Sequence, residues 1–85
     1  MIDIVVLSQP DCRFCDDAQV VLARLVPHYP ISVRQIALGS REGQDLATRH
    51  GVLFAPGVLV DGEPFSFGRL SERKLRRRLD ARVRS

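Results

Sequence analysis

Eighty-five residues leave room for one small domain, because domains run from roughly 50 to 250 residues, so a single domain spanning residues 1–85 is expected. Hydrophobic residues at 45% and charged residues at 27% match soluble globular chains and exclude collagen-like, disordered and membrane-embedded classes. The net charge of +3 conceals an asymmetry: residues 1–68 hold five Arg against eight carboxylates, net −3, whereas residues 69–85 hold eight cations against two, net +6.

The chain opens with Ile2 to Leu7, β-branched and apolar almost throughout, which suits a central strand covered on both faces. Its apolar run is far shorter than the roughly 20 residues of a membrane-spanning helix, and a basic start with an apolar stretch is lacking, so the expected setting is cytoplasmic, with no membrane partner. Ser8-Gln9-Pro10-Asp11 breaks the strand. From Cys12 to Val26, apolar residues recur at Phe14, Ala18, Val21, Leu22 and Leu25, the spacing of an amphipathic helix, with Asp11 as the expected cap and Pro27 to Pro30 as the stop. His28 and Tyr29, between those prolines, are expected at the surface.

Ile31 to Leu38 reads as a second strand suited to an edge. Ser40 can cap a short helix through His50, and Gly51 is placed as its left-handed C′ residue. His50 reads as a helix-end cation rather than a base. Gly57 to Val60, Asp61-Gly62 and Glu63 to Phe67 form a hairpin signal, because Asp-Gly supplies the positive φ values of a tight turn. Pro64 lacks an amide donor and assigns the fourth strand to an edge. Phe54 and Phe65 are expected in the core. Ser71 caps a last helix whose Leu75, Leu79 and Val83 are expected to face the sheet. The order β-α-β-α-β-β-α, with a right-handed first crossover, predicts a four-stranded mixed sheet between helices.

Cys12-Arg13-Phe14-Cys15 holds the only two cysteines. A disulfide-stapled secreted domain spreads four or more, and a loop this short stabilises little, so the pair invites a chemical reading. Two cysteines three apart at a helix start lie on one face, within the Cα separation that a disulfide accepts. Cys12, at the first turn, meets free amides and the positive dipole end that stabilise a thiolate; Cys15, one turn in, is expected to be more buried. Cys12 thus reads as nucleophile and Cys15 as resolving thiol. A free thiol titrates near about 8.5, and a shift to about 7 raises its reactive fraction roughly tenfold. Arg13 favours such a shift and Asp11, Asp16 and Asp17 oppose it. Phe14 suits the rim of this site and the core equally. Zinc normally takes four ligands, and beyond the pair only His28 and His50 are on offer, at no finger spacing, so no metal site within one chain is expected. A cluster of iron and sulfur shared between two chains, each giving two thiolates, stays open as an alternative.

The strand, Ser8-Gln9-Pro10-Asp11-Cys12-Arg13-Phe14-Cys15, the helix, and Gly51-Val52 with Ala55-Pro56 ahead of the Val58 to Gly62 hairpin resemble the glutaredoxin-like members of the thioredoxin superfamily over nearly the whole chain. The resemblance implies an α/β, thioredoxin-like three-layer sandwich and a thiol-disulfide oxidoreductase that reduces or exchanges disulfides of a protein or small thiol substrate. It further implies a cis bond at Ala55–Pro56, facing the disulfide; an extended substrate is then expected to pair with the backbone at Ala55 beside Pro56, and Arg13 and Phe14, by their place between the cysteines, are expected to touch it. Glutathione-binding members carry Lys where this chain has Gln9, Thr where it has Phe54, and Gly-Gly with a nearby Asp where it has Phe67 to Ser71; these departures count against glutathione. The redox-active pair itself needs no other cofactor. A monomer served by an undetermined reductant is expected. The rival reading is a redox-inert binding module that uses the basic C-terminal helix as its partner surface. A basic helix is more often a solvated face than a nucleic-acid site, so nucleic acid is not the expected partner.

Overall fold

A computed structural model describes residues 1–84. Its elements follow as β1 (Ile2–Ser8), α1 (Arg13–Leu25), β2 (Ile31–Ala37), α2 (Arg41–His50), β3 (Gly57–Val60), β4 (Glu63–Phe67) and α3 (Glu72–Arg84). The sheet order is β2-β1-β3-β4, with β1 parallel to β2 and antiparallel to β3, and β3 antiparallel to β4. Both β2 and the proline-bearing β4 therefore lie at edges.

Side chains of β1 alternate between two cores, as the two-residue period of a strand requires. Ile2, Ile4 and Val6 join Val58 and Val60 of β3 under Leu22 and Leu25 of α1 and Leu75 and Leu79 of α3. Val5, Leu7 and Leu59 point the other way, onto Ala47 of α2 and Val52. One layer of two helices and one layer of a single helix thus enclose the sheet, and burying each of these large aliphatic side chains contributes about 1.5–3 kcal/mol.

Local signals set the element ends. Ser40 Oγ accepts the Gly43 amide at 3.0 Å, and Gly51 closes α2 at φ 69°. Asp61 (φ 49°) and Gly62 (φ 80°) both take the left-handed region, the pattern of a type I′ turn. Ser71 Oγ accepts the Lys74 amide at 3.2 Å at the start of α3.

Four expectations are corrected. The cap of α1 is Cys12, not Asp11, which instead takes φ 53° in the turn before it. Val83 is 54% exposed: steps of four residues drift about 40° each around a helix, carrying it off the line of Leu75 and Leu79. Phe54 is 54% exposed and rests edge-on against Phe67 instead of entering the core. Tyr29 is half-buried, packing its ring on the larger core while its hydroxyl donates to Asp80 at 2.7 Å.

A belt of polar contacts ties α3 to the rest of the molecule. Glu72 accepts from Arg24 of α1 at 2.8 Å and from Arg76 one turn on at 3.0 Å, and these guanidinium hydrogen bonds, Arg24's first, hold its carboxyl below the ordinary value. Arg82 pairs with Asp61 in the hairpin turn at 3.1 Å. Asp80 serves Tyr29, so both acids of α3 are engaged by the α1 side of the molecule.

Candidate active site

Three segments meet at one end of the sheet. Leu7 of β1 stands beside Gly57 of β3, which stands beside Phe67 of β4. The turn leading to Cys12 leaves the sheet just beyond Leu7, Pro56 immediately precedes Gly57, and Gly68 immediately follows Phe67. The topology thereby gathers residues from three parts of the chain that no sequence window contains.

Cys12 and Cys15 are joined in a disulfide, with their Cα atoms 5.2 Å apart. Cys12 is the N-cap of α1, and its Sγ accepts the Cys15 amide at 3.1 Å, so its sulfur takes one of the donors that a helix start leaves without an internal partner. Cys12 is partly exposed and Cys15 only 3% exposed, so Cys12 is the more accessible residue of the pair. Arg13 is exposed and has no ion-pair partner among the described residues. Phe14 is 46% exposed and so lies outside the core.

Ala55 and Pro56 are buried at the entry to β3, and the bond between them is cis. The Pro56 carbonyl accepts the Gly68 amide at 2.9 Å, pinning this loop to the segment after β4. Two glycines make the closeness achievable. A Cβ on Gly57 would lie 2.7 Å from a methyl of Val52, and one on Gly68 would lie 2.8 Å from the Phe54 ring at a φ of +86°. Phe54 fills the space over Gly68 and meets Phe67 at 5.1 Å between ring centres, at 82° between planes.

Phe14 between the cysteines, Leu53 and Phe54 ahead of the Pro56 loop, and Phe67 at the end of β4 are exposed apolar side chains carried by the segments that meet at this end of the sheet. The contribution of Leu53, Phe54 and Phe67 was missed in the sequence; the small residue at Gly68, which leaves an aromatic ring room to lie outside, is the signal that could have found it. Among the described residues, no group of three or more His, Cys, Asp or Glu side chains is placed to hold a metal ion. His28 and His50 lie apart from the cysteine pair in the chain, on the loop after α1 and at the end of α2.

No family model and no curated protein matches the sequence. Solved structures do match its shape. A point mutant of a thioredoxin from Halobacterium salinarum is similar at a TM-score of 0.73 and 23% identity, over 94% of this chain and 73% of that one. The oxidised form of mitochondrial thioredoxin 3 from Saccharomyces cerevisiae matches at 0.72 and 18% identity, over 94% and 77%. Glutaredoxin 1 from Francisella tularensis, solved with cacodylate, matches at 0.55 and 12% identity, over the full length of both chains. The chain has the thioredoxin-like α/β fold, and its structural neighbours are thioredoxins and glutaredoxin-like proteins.

Proposed function

We propose that this chain, with its thioredoxin-like fold and its cysteine pair at a helix start, is a thiol-disulfide oxidoreductase acting on protein disulfides. The observation that carries the reading is the Cys12–Cys15 disulfide at the N-terminus of α1, with Cys12 partly exposed and its Sγ accepting a hydrogen bond from the Cys15 amide, and Cys15 buried. The apolar rim of Phe14, Leu53, Phe54 and Phe67 supports a polypeptide substrate over a small one, because apolar surface concentrated around one reactive group marks a contact site.

In the reduced chain, the Cys12 thiolate attacks one sulfur of a substrate disulfide. That S–S bond breaks, a Cys12–substrate bond forms, and the departing substrate sulfur leaves with the electron pair and takes up a proton. Cys15 then loses its proton and attacks Cys12 Sγ, which releases the second substrate thiol and forms the Cys12–Cys15 bond. Two electrons and two protons pass to the substrate, and the two cysteines are oxidised to the state in the structure. A thiol or dithiol reductant resets the pair by the same exchange in reverse. The Cys15 amide at Cys12 Sγ and the N-terminal end of α1 favour the Cys12 anion at the moment of attack, and the exposed apolar side chains hold the partner with its disulfide in line. In this reading an extended substrate lies against Ala55 and Pro56 at the entry to β3 and meets Arg13 and Phe14 at the start of α1. The pair stores the electrons itself, so no further cofactor enters the cycle.

The test is a pair of single variants supplied with dithiothreitol and an insulin disulfide. Cys12→Ser abolishes reduction, whereas Cys15→Ser accumulates a mixed disulfide on Cys12 that mass spectrometry detects. Equal residual activity in the two variants would falsify the division of roles, and full activity in both would remove the reading.

A further inference from the structure

A groove of about 730 Å³ lies between β4 and α3, on the side of α3 away from α1. Its helical wall is Lys74, Arg77, Arg78 and Ala81, the i, i+3, i+4, i+7 stripe of one face, and Arg69 and His50 also line it. None of the described residues lining it is acidic. Of the other cations near α3, Arg24 and Arg76 are matched by Glu72 and Arg82 by Asp61, while Arg73 and Arg84 lie on α3 outside the groove lining. Arg69, Lys74, Arg77 and Arg78 have no carboxylate partner among the described residues, and Arg78 lies over the Phe65 ring at 5.2 Å. The two acids of α3 are engaged on the α1 side, so four of the eight cations of the C-terminal segment line this groove with no acid among the other described residues that line it.

Three further features narrow the occupant. Phe67 belongs both to the groove and to the aromatic rim, so the groove opens onto the end of the sheet that carries the disulfide. The stripe from Lys74 to Ala81 rises about 10 Å along the helix, which an extended peptide covers in three or four residues. Pro64 and the register shift opposite it interrupt the free edge of β4, so strand addition there is a poor general mode and side-chain recognition has to supply the selection.

We propose that the β4–α3 groove docks an acidic, extended segment of the substrate protein and delivers the disulfide that follows it to Cys12. The proposal rests on the oxidoreductase reading and adds a substrate class to it: proteins whose disulfide is flanked by carboxylates. Carboxylates alternating with apolar side chains would meet the guanidinium and ammonium groups of the helical wall and the Phe65 and Phe67 rings of the sheet wall. A protein partner is favoured over a nucleic acid because the groove is continuous with the rim of the thiol site.

Lys74→Glu/Arg77→Glu reverses two exposed charges outside the core, and Lys74→Gln/Arg77→Gln removes them. Both would be assayed with dithiothreitol on three disulfides: a peptide whose disulfide is preceded by a run of glutamates, its glutamine counterpart, and bis(2-hydroxyethyl) disulfide. Wild type is expected to favour the glutamate peptide through a lower KM. The charge reversal is expected to lower kcat/KM for that peptide about tenfold at low salt, with an intermediate loss in the glutamine variant and a gap that shrinks as salt shortens the screening length to about 8 Å. Rates on bis(2-hydroxyethyl) disulfide stay unchanged. Retention of the glutamate preference in the charge-reversed variant, or an equal fall on all three disulfides, overturns the proposal. Binding is read separately, by fluorescence anisotropy of a cysteine-free glutamate peptide on Cys12→Ser. Loss of that binding on charge reversal supports the groove, and no binding to the unreversed protein overturns it. Tighter binding of an oligothymidylate that displaces the peptide overturns the assignment to a protein partner. Turnover of none of the three disulfides by wild type, with peptide binding intact, removes the oxidoreductase reading and leaves the groove as a peptide site.

Discussion

Replacing Gly57 with alanine probes the contact that seats the Pro56 loop against the end of β1. The new Cβ would stand 2.7 Å and 3.2 Å from the two Val52 methyls and 3.5 Å from the Leu7 Cβ. Carbon atoms pack at about 3.5–4.0 Å, so the Leu7 contact is tolerated and the Val52 contacts are not. Val52 is 8% exposed and Leu7 fully buried, so neither can swing into solvent, and the overpacking is expected to cost about 1–3 kcal/mol. Val52→Ala alone removes two methyl groups, about 0.8 kcal/mol each, or about 1.6 kcal/mol. In the double variant the offending methyls are gone, so its loss should be close to that of Val52→Ala alone. Urea unfolding of the four proteins, all with the disulfide closed, measures the cycle. A favourable coupling of about 1 kcal/mol or more is expected, and additivity within about 0.5 kcal/mol would refute the contact as the reason for a glycine here.

Other consequences are as direct. Leu79 is fully buried between α3 and the sheet, so Leu79→Ala should cost about 2–5 kcal/mol in denaturant unfolding while the thiol chemistry persists in the protein that remains folded. Glu72 is held below the ordinary carboxylate value by Arg24 and then Arg76, and a group depressed in the folded state stabilises it above its unfolded pKa and loses that effect as pH falls through the folded one. Glu72→Gln should therefore be less stable than wild type at neutral pH, and the gap should close on acidification below about pH 4.3, as thermal melts across pH would register. An unchanging gap would mean that the Arg24 and Arg76 contacts do not act through charge.

The order of elements was legible because the signals that set it are local. Ser40, Gly51 and Asp61-Gly62 act within a few residues of themselves, and each takes its expected place. The two-sided apolar character of β1 likewise requires no knowledge of its partners, only that helices cover both faces. What escaped the sequence depends on residues far away. Asp11 and Cys12 can both cap a helix, and the choice turns on the path of the chain out of β1, which leaves Asp11 at positive φ and Cys12 Sγ beside the Cys15 amide. Phe54 reads as core until Gly68 supplies the open ground on which it lies. Tyr29 reads as surface until Asp80, 51 residues on, receives its hydroxyl. Of the candidate site, the cysteine pair and its position at a helix start were visible in four residues, and the Pro56 loop came through resemblance. The cationic groove was visible only as a charge excess, because deciding which of its cations are matched requires the pairings of Arg24, Arg76 and Arg82.

The central claim, that Cys12 is the reactive thiol of a redox pair, is tested most directly by competitive alkylation of the fully reduced protein. Iodoacetamide would be added in limiting amount across a range of pH, and the modified cysteine identified by peptide mass. Cys12 is expected to react ahead of the buried Cys15, with a rate that reaches its plateau below the about 8.5 of a free thiol, and the pair is expected to close in an oxidising glutathione buffer. Cys12 reacting no faster than glutathione itself near neutral pH, in a protein whose two thiols stay open in that buffer, would contradict the account.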